Sequence, residues 1–189
     1  MDPVGRPLTP GPGPAGPAKP ADSLRVLAVD LDEVSAAMDH LDRSETDHFL
    51  NLETGEVITL STALVTAVRK GINPEDTDLP EWQLQDTPLA QAVVRDDRGE
   101  RFARIPEARW TEDQRLKVRF AQAIRHEGLR EKAAMAVYTH DGGEKFDELL
   151  KGYPQLRAAW YRYQARHKRE WARRWLLLLG IQPQETEEG

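Results

Sequence analysis

The sequence predicts an α+β fold: a small antiparallel sheet of about three strands, followed by a helical bundle that ends in one long C-terminal helix. Three observations carry this reading. Two short apolar runs, Phe49–Leu52 and Val57–Leu60, flank Glu53-Thr54-Gly55-Glu56 as the arms of a hairpin flank its turn. From Thr111 onward the apolar residues recur at three and four positions, which is the period of a helix. Between Tyr153 and Gly180 that period is sustained, with Leu156, Trp160, Tyr163, Trp171, Trp175 and Leu178 on one face. Arg162, Arg166, Arg169 and Arg173 form a row on the opposite face.

Residues 1–21 hold seven of the thirteen prolines and almost no large apolar side chain. Such a segment buries too little surface to offset its ordering entropy, so a disordered tail is expected. A single domain is expected over 22–183, with 184–189 as an acidic tail. Leu24, Val26, Leu27, Ala28 and Val29 make a short apolar run. Asp30 or Asp32 then caps a helix carrying Leu31, Val34, Ala37, Met38 and Leu41. In the hairpin, Gly55 supplies the positive φ its turn needs. Ser61 is placed to cap a short helix with Leu64, Val65 and Val68, closed by Gly71. An acidic, proline-bearing connection follows from Asn73 to Asp86, and its Trp82 is expected to tuck back onto the domain. Residues 87–95 carry a weak helical pattern, and Phe102–Ile105 before Pro106 reads as a strand joining the hairpin.

Thr111, with Asp113 and Gln114 after it, is an imperfect capping box for a helix with Leu116, Phe120, Ala123 and Ile124. Gly128 allows a break before Leu129–Val137, and Asp141-Gly142-Gly143 is a turn before Phe146, Leu149 and Leu150. The last helix has Pro154 in its first turn, Gly180 at its C-terminal cap and Pro183 beyond.

A chain of 189 residues accommodates one ordinary domain with a tail. Its apolar content of 39% suffices for a core, while 31% charged residues and a mean hydropathy of -0.65 imply a heavily solvated surface. No apolar run approaches the roughly 20 residues that cross a bilayer, and no signal segment is evident at the N-terminus. The expected location is the cytoplasm, with no membrane partner. The absence of cysteine excludes a disulfide framework, a thiolate zinc site and a catalytic thiol. The net charge of -6 is unevenly spread: residues 22–100 carry 18 acidic and 6 basic side chains, whereas 154–180 carry 7 basic and 1 acidic. Either the two regions pack and cancel, or the basic helix is presented to an anionic partner.

The elements Val29–Glu33, Phe49–Val57, Leu79–Trp82, Arg101–Pro106, and Trp160 onward through Trp175-Leu176, Gly180-Ile181 and Pro183 occur in this order. Together, over about residues 24–183, they resemble the bacterial uncharacterised protein family 0158. Asn51 stands where that pattern has Asp. The resemblance implies no assigned activity, substrate or catalytic residue.

The motifs that could carry chemistry are incomplete. Leu27–Val34, an apolar run ending in Asp30-Leu31-Asp32, resembles the first motif of haloacid-dehalogenase phosphotransferases, in which such a pair supplies a nucleophile and holds magnesium. The downstream Lys and acidic pair of that chemistry, set in alternating β/α units, are not found. The pair therefore reads first as a helix cap. His40, His48, His126, His140 and His167 show no pairing at metal-ligand spacing. Gly142-Gly143 lacks a phosphate-loop ending, and Ser23, Ser35, Ser44 and Ser61 lack a nucleophile elbow.

Arg162, Arg166, Arg169 and Arg173 recur at four, three and four residues, forming a ridge about 16 Å long at 1.5 Å per residue. The function expected is that of a non-enzymatic interaction or regulatory protein. It would use this ridge to bind an anionic partner, either an acidic protein surface or nucleic acid, and no cofactor is expected. The alternative is a metal-dependent hydrolase or phosphotransferase using Asp30, Asp32, Glu53 and Glu56.

Overall fold

A computed structural model of the protein describes residues 24–39, 44–107, 110–139 and 142–184. The readings that fall on residues 1–23 (Ser23 among them) and 185–189, and on Leu41, His40, His140 and Asp141, lie outside them. The expected architecture is present. A three-stranded antiparallel sheet is built from β2 (Thr46–Asn51), β3 (Val57–Ser61) and β4 (Phe102–Arg104), in the order β3-β2-β4. Phe49 lies opposite Ile58 on one side and Arg104 on the other. Strand β2 is central, and side chains alternate across a sheet. Leu50 accordingly enters one apolar cluster and Phe49 another, and the strand is buried on both faces.

A second sheet was not anticipated. Strand β1 (Arg25–Ala28) pairs in parallel with β5 (Ile181–Gln184), with Arg25 opposite Ile181 and Ala28 opposite Gln184. Gln184 thus belongs to a strand, not to the expected acidic tail. Four residues with a proline among them carry no strand pattern of their own. They pair because Gly180, at φ +74°, turns the chain back onto β1, where the Arg25 N–H donates to the Gly180 carbonyl at 2.9 Å.

The helices are α1 (Leu31–Asp39), α2 (Thr62–Arg69), α3 (Glu81–Leu84), α4 (Thr87–Arg95), α5 (Trp110–Gln122), α6 (Glu127–Tyr138), α7 (Gly142–Lys151) and α8 (Pro154–Leu178). Asp30 is the cap of α1: its Oδ1 accepts from the N–H groups of Asp32 at 2.8 Å and Glu33 at 3.1 Å. Ser61 caps α2 through the Leu64 N–H at 3.5 Å. Two breaks fall elsewhere than expected. Gly128 lies inside the first turn of α6, which His126 starts by accepting from the Leu129 N–H at 3.3 Å, and Gly142-Gly143 opens α7 instead of preceding it.

Three apolar clusters fill the molecule. The first joins Val34 and Met38 of α1 to Leu50, Ile105, Ile181 and the α8 residues Ala172 and Leu176. The second packs Leu116, Phe120, Phe146 and Leu150 around Trp160. Its rings meet edge to face, with Phe120 5.1 Å and Phe146 5.2 Å from Trp160. The third lies between the sheet and α2 and α4, through Phe49, Leu60, Leu64, Val65, Val93 and Phe102.

Helix α8 serves the first two clusters with different faces. Leu176 is about 160° round the helix from Trp160, so no single stripe is buried along its length. Leu178 shares the angular position of Trp160 yet is 85% exposed, because by that point along α8 the buried side has passed to α1. The expectation for Trp82 also fails: it is 67% exposed on the single turn of α3, and Leu79 packs against the third cluster in its place.

Candidate functional site

The acidic and basic regions of the chain do meet. Helix α1 lies along α8, and Asp32 and Asp39 on it face the second half of the basic helix. Arg169 grips Asp32 side-on, its Nε and Nη2 donating to the two carboxylate oxygens. Lys168 Nζ donates to Asp39 Oδ2 at 2.6 Å, with the lysine side chain only 18% exposed. The hydrogen bond from Arg169 holds the Asp32 carboxyl below its ordinary pKa, against a smaller upward effect of burial, and the charge of Arg169 adds to the lowering.

The four arginines of the ridge are therefore not equivalent. Arg169 is engaged by α1, and Arg173 contacts Glu170 of its own helix at 3.3 Å. Arg166 is exposed, with its guanidinium 5.8 Å from the Tyr163 ring centroid. Arg162 is exposed and makes no ion pair with a described residue.

The four carboxylates of the hydrolase alternative lie at the start of α1 and on the turn between β2 and β3. The hairpin turn seats against the end of β1, so that a Cβ on Gly55 would stand 1.9 Å from the Ala28 carbonyl oxygen. Each carboxylate has local work. Asp30 caps α1, Asp32 pairs with Arg169, Glu53 pairs with Arg101 at 3.0 Å, and Glu56 accepts from the Thr54 hydroxyl at 3.1 Å. Asn51 shapes the same turn, its Oδ1 accepting from the Glu53 N–H at 2.9 Å. Among the described residues no three His, Asp or Glu side chains converge as a metal-holding group.

Sequence reasoning missed a cleft of about 450 Å³ between α5 and α8. Arg115 and Arg119 of α5 and Arg166 and Arg174 of α8 line it, with His167 and Trp171. Its position follows from the docking of the two helices. Phe120 against Trp160 and Asp113 against Gln164 set α5 beside α8. One helical turn separates Arg115 from Arg119, which brings both to the same side. The spacing of four was legible, but which way those two side chains faced depended on the helix–helix contact. His167 is held in place, with its Nδ1 2.9 Å from the Tyr163 carbonyl oxygen and its ring centroid 4.1 Å from that of Tyr163.

Residues 76–188 match the model of a family described as Uncharacterised protein family (UPF0158). The chain belongs to this family. It is 27% identical over 160 residues to UPF0158 protein PA5073 of Pseudomonas aeruginosa, an alignment covering 85% of this chain and 88% of that protein. No solved structure matches the chain. The UPF0158 match contains both α5 and α8, and with them the cleft and the ridge; α1, which carries Asp32 and Asp39, precedes it. No helix among the described residues is long and apolar enough to cross a membrane.

Proposed function

We propose that this UPF0158 protein is a non-enzymatic, cytoplasmic interaction or regulatory protein that binds an acidic protein surface through α8. The observation that carries this reading is the α1–α8 contact. There an acidic helix already lies on the basic one, joined by a two-pronged arginine–aspartate pair and a shielded lysine–aspartate pair. Arg162 and Arg166, toward the N-terminal end of the same helix, offer the same chemistry to a partner. Nucleic acid is the weaker occupant, because Trp160 is buried and Trp171 and Trp175 pack partly against the apolar clusters, so that even Trp171, which borders the same cleft as Arg166, offers a base only part of its ring.

The test is a titration of labelled polyglutamate, double-stranded DNA, single-stranded DNA and RNA with the purified protein at two salt concentrations. An Arg162→Glu/Arg166→Glu variant runs alongside. Arg169 is left unchanged, since reversing it would set like charges against Asp32 and disturb the fold. Polyglutamate binding that weakens with salt and is lost in the variant is the expected result. Preferential binding of a nucleic acid, lost in the same variant, would move the function to that partner. No binding of any probe at low salt would remove the reading.

A further inference from the structure

We propose that the cleft between α5 and α8 is a binding site for a small organic phosphate of about nucleotide size. This goes beyond the partner reading and is tested at different residues, Arg115 and Arg119; the cleft and the ridge share Arg166. A volume of about 450 Å³ lies within the range of small-molecule sites. Four guanidinium groups border that space. Of its two carboxylates, Glu170 is already turned to Arg173 at 3.3 Å and Arg174 at 3.2 Å, leaving Glu112 as the other acidic residue of the lining. Arg115 and Arg119 make no ion pair with a described residue and are exposed. Since Arg174 is itself one of the four guanidiniums, the lining sums to four positive against two negative charges, a net of about +2 that calls for an anion carrying more than one charge. Guanidinium forks match the paired oxygens of phosphate in geometry as well as sign.

Two further side chains suit an organic phosphate. A carbonyl oxygen only accepts, so His167 must carry its proton on Nδ1 to bond Tyr163, which in the neutral ring leaves Nε2 an acceptor, suited to a hydroxyl or amino group of the ligand's organic part and not to a phosphate oxygen. Trp171, partly buried against the second apolar cluster, and the buried Leu116 add an apolar wall for the organic part of the ligand. A carboxylate of an acidic protein surface would use the open ridge at Arg162 instead, which is not part of the cleft lining.

The experiment is a calorimetric titration of the full chain with ADP, pyrophosphate, citrate and a short single-stranded DNA. It uses the unaltered protein, the Arg115→Gln/Arg119→Gln variant and the Arg162→Glu variant, each checked by circular dichroism. The expected result is saturable one-to-one binding of ADP, tighter than that of pyrophosphate or citrate. Affinity should fall about 100-fold in the Arg115/Arg119 variant, roughly tenfold for each guanidinium–phosphate pair removed, and stay within about threefold in Arg162→Glu. Absence of saturable ADP binding, or binding indifferent to Arg115 and Arg119, would overturn the proposal. So would equal affinity for pyrophosphate, which would deny the apolar wall a role, or a single-stranded DNA that binds far more tightly through the same arginines. Both side chains are exposed, and if the glutamine variant nonetheless misfolds, Arg115→Lys/Arg119→Lys keeps the charge and removes the fork. An affinity unchanged in that variant would equally overturn the proposal. Polyglutamate, titrated into the same three proteins, separates the two readings: its loss in Arg162→Glu with ADP binding retained assigns it to the ridge, and ADP binding without any polyglutamate binding would fail the ridge alone.

Discussion

Two residues concentrate the local physics of the fold, Gly55 and Asp32. Gly55 sits at φ +83° and its α-carbon faces the Ala28 carbonyl so closely that any side chain would collide with backbone. Gly55→Ala is therefore expected to cost at least about 2 kcal/mol, since the left-handed conformation alone disfavours a side chain by roughly 1–2 kcal/mol and the collision adds to it. Urea denaturation measures this, and a loss below about 0.5 kcal/mol would show that the turn is not held against β1. Asp32 makes a pH-dependent contribution. Its pKa is lowered in the folded state by Arg169, so its stabilisation is fully present above the ordinary carboxylate pKa and is lost as pH falls through the lowered value. The Asp32 side chain is 54% exposed, so the size is at most about 1 kcal/mol after solvent screening. In Asp32→Asn the urea midpoint should be lower at neutral pH and fall less steeply between about pH 5 and pH 2 than in the unaltered chain. Parallel curves would assign the acid sensitivity to other carboxylates.

At the scale of elements, α8 tests how far a periodic pattern can be trusted. Trp160 is 2% exposed and Leu178 85% exposed, although they share an angular position. Trp160→Ala should cost about 3–5 kcal/mol through the cavity left among Phe120, Phe146 and Leu150, while Leu178→Ala should stay within about 0.5 kcal/mol. Comparable losses at the two positions, read by thermal melting, would mean that α8 buries one stripe after all. The hairpin, its glycine and the caps at Asp30 and Ser61 were legible because each depends on neighbours a few residues away. The basic ridge was legible as a row of side chains for the same reason. What the row touches was not, since the pairing of Arg169 with Asp32 spans 137 residues. The cleft was hidden likewise: Arg115 and Arg119 face α8 only because Phe120, one residue further on, meets Trp160. Trp82 escaped because Leu79, three residues earlier, packs against the third cluster in its place.

At the scale of the whole molecule, the described chain closes on itself. Strand β1 pairs with no described strand except β5, so the beginning of the described fold is secured by its end. The consequence reaches beyond four residue pairs, because Ile181 is 3% exposed in the cluster that also holds Val34, Met38 and Leu176. Removing residues 181–189 should therefore do more than fray a terminus. It withdraws a buried isoleucine, leaves β1 without its ladder and loosens the side of α1 on which Asp32 and Asp39 meet α8. Burial of one such side chain is worth about 1.5–3 kcal/mol, which corresponds to a melting temperature lower by roughly 5–10 °C in a chain of this size. Ile181→Ala, which keeps the ladder and loses most of the side chain, separates the two contributions. If it falls as far as the truncation, the isoleucine accounts for the effect; if it falls half as far, the ladder supplies the rest. A truncated chain that melts with the full one would show that α1 is held by α8 alone, through the apolar contacts of Ala172 and Leu176 and the two ion pairs. In that event the acidic–basic helix contact, not the sheet, would be what joins the two ends of the fold.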